Sequence, residues 1–205
     1  MAKKFPPRFY LQDTVAVARS LIGCVLWRRI GLEVMAGRIV ETEAYLGAND
    51  SASHARRGLR SERNASMYLA GGHAYVYFTY GMHWCMNVVT QEADIAEAVL
   101  LRGLEPVRGI ESIRKRRPKA KRDLDLTNGP GKICMALDID RKLDGERLDG
   151  ERLYITERDI EVGEEDLVVT PRIGVENSGQ AAGWPLRFFL RNNRHVSAPR
   201  NVLRR

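Results

Sequence analysis

Cysteine is scarce in this 205-residue chain: Cys24, Cys85 and Cys134 lie far apart, with no C-x-x-C pair. That spacing excludes a cysteine-rich zinc module and argues against a disulfide framework, so a reducing compartment is expected. No stretch approaches the ~18 consecutive apolar residues of a membrane span. Two lysines near the start are followed by no apolar run, so neither membrane association nor secretion is expected. The four histidines show no ligand spacing, which leaves no metal site to propose. No Pro-, Gly- or Ser-rich linker divides the chain, so one domain is expected over 1–205, with 1–8 and 197–205 as flexible ends. The repeat Asp144-Gly-Glu-Arg-Leu148, Asp149-Gly-Glu-Arg-Leu153 is too short for a solenoid and reads as a polar loop.

Negative charge is in deficit. Lys and Arg total 33 against 26 acids, a formal charge of +7, and the excess is segregated. Arg56, Arg57, Arg60 and Arg63 form one basic stretch. A second block holds Arg114, Lys115, Arg116, Arg117, Lys119, Lys121 and Arg122. Arg187, Arg191, Arg194, Arg200, Arg204 and Arg205 stud the end. Acids predominate only from Asp138 to Asp166. Such a chain can turn a positive face to a polyanion and keep its acidic segment away.

Helix signals are few. Asp13 caps a helix with Val15, Ala18, Leu21 and Ile22 inward, ended by Gly23. A short helix is expected over Asn64–Leu69. Pro106 suits a first helical position, with Val107, Ile110 and Ile113 inward and Pro118 as the stop, and Pro130 opens another ahead of Ile133, Cys134 and Leu137. Strands are expected over Val25–Arg29, Val34–Tyr45, Ala74–Thr79, His83–Thr90, Ala98–Arg102, Leu153–Thr156, Leu167–Thr170 and Leu186–Leu190. They do not alternate with helices, so the fold class is α+β: a curved, largely antiparallel sheet surrounded by helices.

Four features carry chemistry. In Arg38-Ile-Val-Glu-Thr-Glu-Ala-Tyr45 a period of two puts Ile39, Glu41, Glu43 and Tyr45 on one face and the small Val40, Thr42 and Ala44 on a core-facing one. A carboxylate beside an aromatic wall can activate water against a sugar carbon while the wall holds the leaving group. In Ala74-Tyr-Val-Tyr-Phe-Thr-Tyr-Gly81, Val76 and Phe78 suit a core. Tyr80-Gly81 reads as a hairpin tip, and a tyrosine there would act as a wedge in a base stack. His54, on the loop after the carboxylate strand, could cover a pocket with its ring. Gly129-Pro-Gly-Lys132 opens a helix that could hold a phosphate. These features also admit a non-catalytic RNA-binding module, or a carbohydrate or nucleoside hydrolase using Glu41 and Glu43 as a pair.

Gly37–Gly47, His54, Tyr75–Met82, Cys85-Met-Asn87, Val99–Pro106, Gly129–Lys132, Arg172–Val175 and Pro185–Phe188 together resemble the alkyladenine (3-methyladenine) DNA glycosylase family, over about Phe9 to Val196. The resemblance implies a single mixed α/β domain without metal or organic cofactor, acting as a monomer on double-stranded DNA containing damaged purines. It implies excision of 3-methyladenine, 7-methylguanine, hypoxanthine and ethenoadenine from a flipped-out nucleotide, in the cytoplasm or nucleoid of a bacterium or the nucleus of a eukaryote. Glu43 matches the general base. Arg102 matches a group holding the attacking water, together with a carbonyl from Arg172–Val175. Tyr45, His54 and Tyr77 match the pocket that sandwiches the base, and Asn87 the residue that crowds guanine's amino group. Tyr80, with Met82 beside it, matches the intercalating tip, and Arg56, Arg60, Arg63 and Lys132 are candidates for the DNA backbone. The absence of a pocket lysine predicts hydrolysis without strand cleavage.

Overall fold

The computed structural model describes residues 3–197; of the ends expected to be loose, 1–2 and 198–205 lie outside them, as do Arg200, Arg204 and Arg205. Residues 3–8 make defined contacts: Lys4 Nζ donates to the Asp149 and Gly150 carbonyls, and Phe5 stacks on Phe9 at 3.8 Å.

One curled antiparallel sheet carries the fold. Its strands are β1 (Val25–Ile30), β2 (Glu33–Tyr45), β3 (Ala74–Thr79), β4 (His83–Thr90), β5 (Glu97–Arg108), β6 (Leu153–Thr156), β7 (Leu167–Thr170) and β8 (Arg187–Leu190). The order is β3-β4-β5-β2-β1-β6, with β8 pairing both β2 and β7. The α-helices are short: α1 (Pro7–Tyr10), α2 (Thr14–Ser20), α3 (Ile110–Arg116) and α4 (Pro130–Ala136). Asp13 caps α2 as its sequence predicts, its carboxylate accepting from the Ala16 N–H at 2.9 Å. The largest hydrophobic cluster packs α2 and α4 against the sheet through Ala18, Leu21, Ile133 and Leu137 with Met86, Leu101 and Phe188.

Three expectations are corrected. Pro106 opens no helix: β5 runs on to Arg108, and α3 begins after Gly109, whose φ of 69° breaks the strand. Proline is tolerated in β5 because it stands opposite Gly37, where the register with β2 is already irregular. Phe78 is not core; although it alternates with the core residue Val76, it is 43% exposed, its ring against Trp84 near the end of the β3–β4 hairpin. Ile39 does not share a face with Glu43. The β2–β5 register shifts between Ile39 and Glu41 and again between Glu41 and Thr42, so strict alternation fails. Ile39 and Ala44, five residues apart, both enter the main core.

That irregular stretch is also where β2 changes neighbours. Its first half pairs with β1, whereas Glu41, Thr42 and Glu43 stand opposite Phe189, Phe188 and Arg187 of β8. The sheet curls around this point, and the two acids end up inside the molecule rather than on a solvated face.

The basic stretches differ in what they offer. Arg187 is buried. In the second block Arg114 pairs with Asp123 and Glu111, Arg116 with Glu33, and Arg122 with Asp125, while Arg117 donates to the Leu126 and Asp125 carbonyls. Arg56, Arg57, Arg60 and Arg63 are exposed. No helix among the described residues is long and apolar enough to cross a membrane.

Candidate active site

A cavity of about 320 Å³ opens between the β3–β4 hairpin, the end of β2, the His54 loop and residues 173–175. Tyr45, His54, Tyr77, Asn87 and Arg102 all line it, and Tyr80 stands at its edge. The sequence thus brings together residues from five separate segments.

Its walls are aromatic. Tyr75 and Tyr77 alternate onto one face of β3, their rings stacked 5.3 Å apart with planes inclined by 29°. His54 meets the Tyr77 ring edge-on at 4.5 Å. Its Nδ1 shares a 2.8 Å hydrogen bond with the Tyr75 hydroxyl, which fixes the ring plane. Burial, helped by Arg63 and Arg56, pushes the imidazole pKa down to about 4, so at neutral pH the ring is uncharged. Burial likewise raises the Tyr45 and Tyr77 hydroxyls, leaving them neutral donors. Asn87 is buried and donates from Nδ2 to the Tyr75 carbonyl at 3.2 Å, which fixes its amide at the cavity wall.

Glu43 has no solvent exposure and sits behind this wall. Its Oε1 accepts from the Ile173 N–H at 2.7 Å; its Oε2 accepts from the Tyr45 hydroxyl at 2.9 Å and from Arg102 Nη1 at 3.4 Å. All three donors belong to residues lining the cavity. Burial raises the carboxyl pKa, against the opposing pull of Arg102, the Ile173 N–H and the Tyr45 hydroxyl, and the nearby Glu41 charge adds to the rise. Burial thus disfavours the charged form and makes this carboxylate a better proton acceptor than an exposed one.

Glu41, weighed as the partner in a carboxylate pair, does not line the cavity. It is tied to Arg187 Nε at 2.7 Å, the Ser197 hydroxyl at 2.8 Å and the Ser197 N–H at 2.6 Å. One carboxylate, not two, backs the pocket.

The hairpin tip is Tyr80-Gly81, closed by the Met82 N–H on the Thr79 carbonyl at 3.2 Å. Both residues have positive φ, 52° and 65°. Glycine adopts this freely, but a tyrosine held there is strained. Tyr80 is 84% exposed and Met82 66%, a large apolar tip set in water beside the cavity mouth. Of the basic candidates, Arg63 donates to the Phe78 carbonyl at 3.2 Å and lies 5.7 Å from the Tyr77 ring centre. Arg60 pairs with Asp94 and packs over Tyr68, and Arg56 is exposed on the same loop. Lys132, on α4, is bonded to Asn128 and borders a groove that also touches Tyr80.

Sequence reasoning missed the support beneath the pocket. Arg172 and Asp50 are fully buried and paired. Arg172 also donates to the Ala44 and Ala181 carbonyls and lies 4.6 Å from the Tyr45 ring centre. Asp50 accepts from the Leu46 and Ala52 N–H groups. The pair locks the loop before His54 to the backbone that offers the Ile173 N–H. Arg172 lay in a recognisable segment; Asp50, in a polar connector, gave no signal.

An aromatic cleft backed by a buried carboxylate, beside an exposed aromatic tip, is shaped to receive a flat ring. The sequence pattern of the methylpurine-DNA glycosylase family matches residues 8–194. A protein of Carboxydothermus hydrogenoformans is 50% identical over 94% of this chain and 97% of its own length, and one of Bdellovibrio bacteriovorus is 46% identical over the same shares. A protein of Desulfitobacterium hafniense is 42% identical, over 95% of this chain and 98% of its own. Each bears the name "Putative 3-methyladenine DNA glycosylase". The chain belongs to the methylpurine-DNA glycosylase family, DNA-repair hydrolases that act on N-glycosyl bonds in base excision repair.

Proposed function

We propose that this enzyme acts as a monomer on duplex DNA and excises alkylated and deaminated purines: 3-methyladenine, 7-methylguanine, hypoxanthine and ethenoadenine. The damaged nucleotide leaves the helix and its base enters the cavity between Tyr45, His54 and Tyr77, while Tyr80 fills the vacated place in the stack and Met82 packs beside it. Asn87 crowds the exocyclic amino group of normal guanine. Arg56, Arg60, Arg63 and Lys132 face phosphates.

The observation that carries this reading is the fully buried Glu43 carboxylate directly behind an aromatic wall. N3- or N7-alkylated purines are cationic, so aromatic rings bind them more tightly than undamaged bases and the glycosyl bond breaks more readily. As that bond lengthens the sugar carbon gains positive character. Glu43 stabilises it and takes a proton from the attacking water, with Arg102 holding the carboxylate and the water in place. Among the described residues no lysine lines the cavity, so the reaction stops at the abasic site.

The test is excision from duplexes that each carry one lesion. Heat or alkali after incubation should cut the lesion strand, and without that treatment it should stay whole. Absence of abasic product from every lesion, or scission without alkali, would overturn the reading.

A further inference from the structure

The mechanism above leaves one buried acid without a task. Glu41 has no solvent exposure and does not line the cavity. Yet it sits where β2 passes from β1 to β8, with its side chain against Gly103 of β5. A Cβ added at Gly103 would stand 3.1 Å from the Glu41 Cβ and 2.9 Å from the His195 carbonyl oxygen, so only glycine lets this acid and the C-terminal segment close over the strand.

Arg102 follows from that packing. Three nitrogens of its guanidinium each meet one acceptor: Nε meets Glu41 Oε1, Nη1 meets Glu43 Oε2 and Nη2 meets the Ser197 hydroxyl, all at 3.4 Å. These contacts are long, and all three groups are held elsewhere more tightly, the Ser197 hydroxyl by Glu41 itself at 2.8 Å. Glu41 is anchored by Arg187 and Ser197 at 2.6–2.8 Å, and Glu43 by Ile173 and Tyr45. Arg102 is the loosest member of a rigid frame, and it is the one at the cavity wall.

We propose that Glu41 is a positioning residue: from behind the site, braced by Arg187 and Ser197, it fixes the plane of the Arg102 guanidinium and thereby the arginine's contact with Glu43. This deepens the reading given above and rests on it. Two carboxylates flank the guanidinium, so it cannot turn toward either without leaving the other. With glutamine in place of Glu41, Arg102 would pair more closely with Glu43 and tie up the carboxylate that must accept a proton.

The experiment is a double-mutant cycle in single-turnover excision from a hypoxanthine-containing duplex, with enzyme concentration varied to separate the maximal rate from half-saturation. Glu41→Gln should lower the maximal rate about 10- to 100-fold, as small misplacements of catalytic groups do, with half-saturation unchanged within about twofold. On an Arg102→Ala background, already slowed, the same substitution should change the rate by less than about twofold, because its effect runs through Arg102. A merely structural role would multiply through on both backgrounds, and that result would overturn the proposal. So would a wild-type rate for Glu41→Gln. If Arg102→Ala itself excises at the wild-type rate, the assignment of Arg102 fails and the proposal with it; if Arg102→Ala is slow and Glu41→Gln is not, the proposal fails alone. Should Glu41→Gln not fold, Ser197→Ala removes, without moving charge, one brace on Glu41 together with the weaker Arg102 Nη2 contact. It should slow excision several-fold on the wild-type background and not on Arg102→Ala; an unchanged rate would overturn the proposal.

Discussion

Replacing Asp50 by Asn removes one charge from a pair whose side chains are both fully buried. The arginine left behind cannot reach water. It keeps its bonds to the Ala44 and Ala181 carbonyls, but those neutral acceptors do not offset a buried positive charge, and its Nε already lacks an acceptor. Breaking a buried ion pair from one side costs about 3–5 kcal/mol, a large share of the roughly 5–15 kcal/mol that holds a domain folded. At about 2–4 °C per kcal/mol for a chain of this size, Asp50→Asn should lower the Tm by roughly 6–20 °C, read by circular dichroism or calorimetry. The double variant Asp50→Asn/Arg172→Met removes both charges and should recover most of the loss. The pair also supports the site, because Arg172 precedes the Ile173 N–H that holds Glu43; Asp50→Asn should slow excision even below its melting range. A fall in Tm under about 3 °C for the single variant, or no recovery in the double, would refute the argument.

Two further outcomes follow from the site. Tyr80→Ser should weaken retention on lesion duplex by about 1–3 kcal/mol, the stacking lost when the exposed tip becomes small; equal affinity by fluorescence anisotropy would contradict the wedge. The excision rate should fall on the acid side as Glu43 takes up a proton. Burial raises its pKa, so the limb should lie above the ordinary glutamate value of about 4.3. Ionisation is required for a base, so the rate rises with pH through that limb and then levels. His54, pushed down to about 4, stays neutral across this range, and a limb at or below pH 4.3 would contradict the assignment.

Local rules served well where local physics governs. The Asp13 cap, the Tyr80-Gly81 tip and the period-two strands follow from capping, positive φ and alternation. Alternation failed at residues 39–42 because bulges record how β2 meets β5 and β8, and no residue type in that stretch announces them. The same bulges turned Glu41 inward, so a pair of acids that reads as one catalytic unit is divided into a carboxylate at the cavity and one behind it. Pro106 misled for a related reason: a helix-starting residue also fits an irregular strand position. The pocket's aromatic residues were legible as a run in β3 and by family resemblance. The roles of Asp50, Arg187 and Ser197 were not, since each acts through a partner distant in sequence: 122 residues separate Asp50 from Arg172.

The central claim is that Glu43 supplies the base for water attack on the sugar carbon. Glu43→Gln keeps the size of the side chain and its acceptor for the Ile173 N–H while removing the base. Single-turnover excision from a hypoxanthine-containing duplex measures the consequence, with duplex affinity followed in parallel. The account predicts a rate about 10²- to 10⁴-fold lower and affinity within about threefold of the wild type. A Glu43→Gln enzyme that excises within about threefold of the wild-type rate would contradict it.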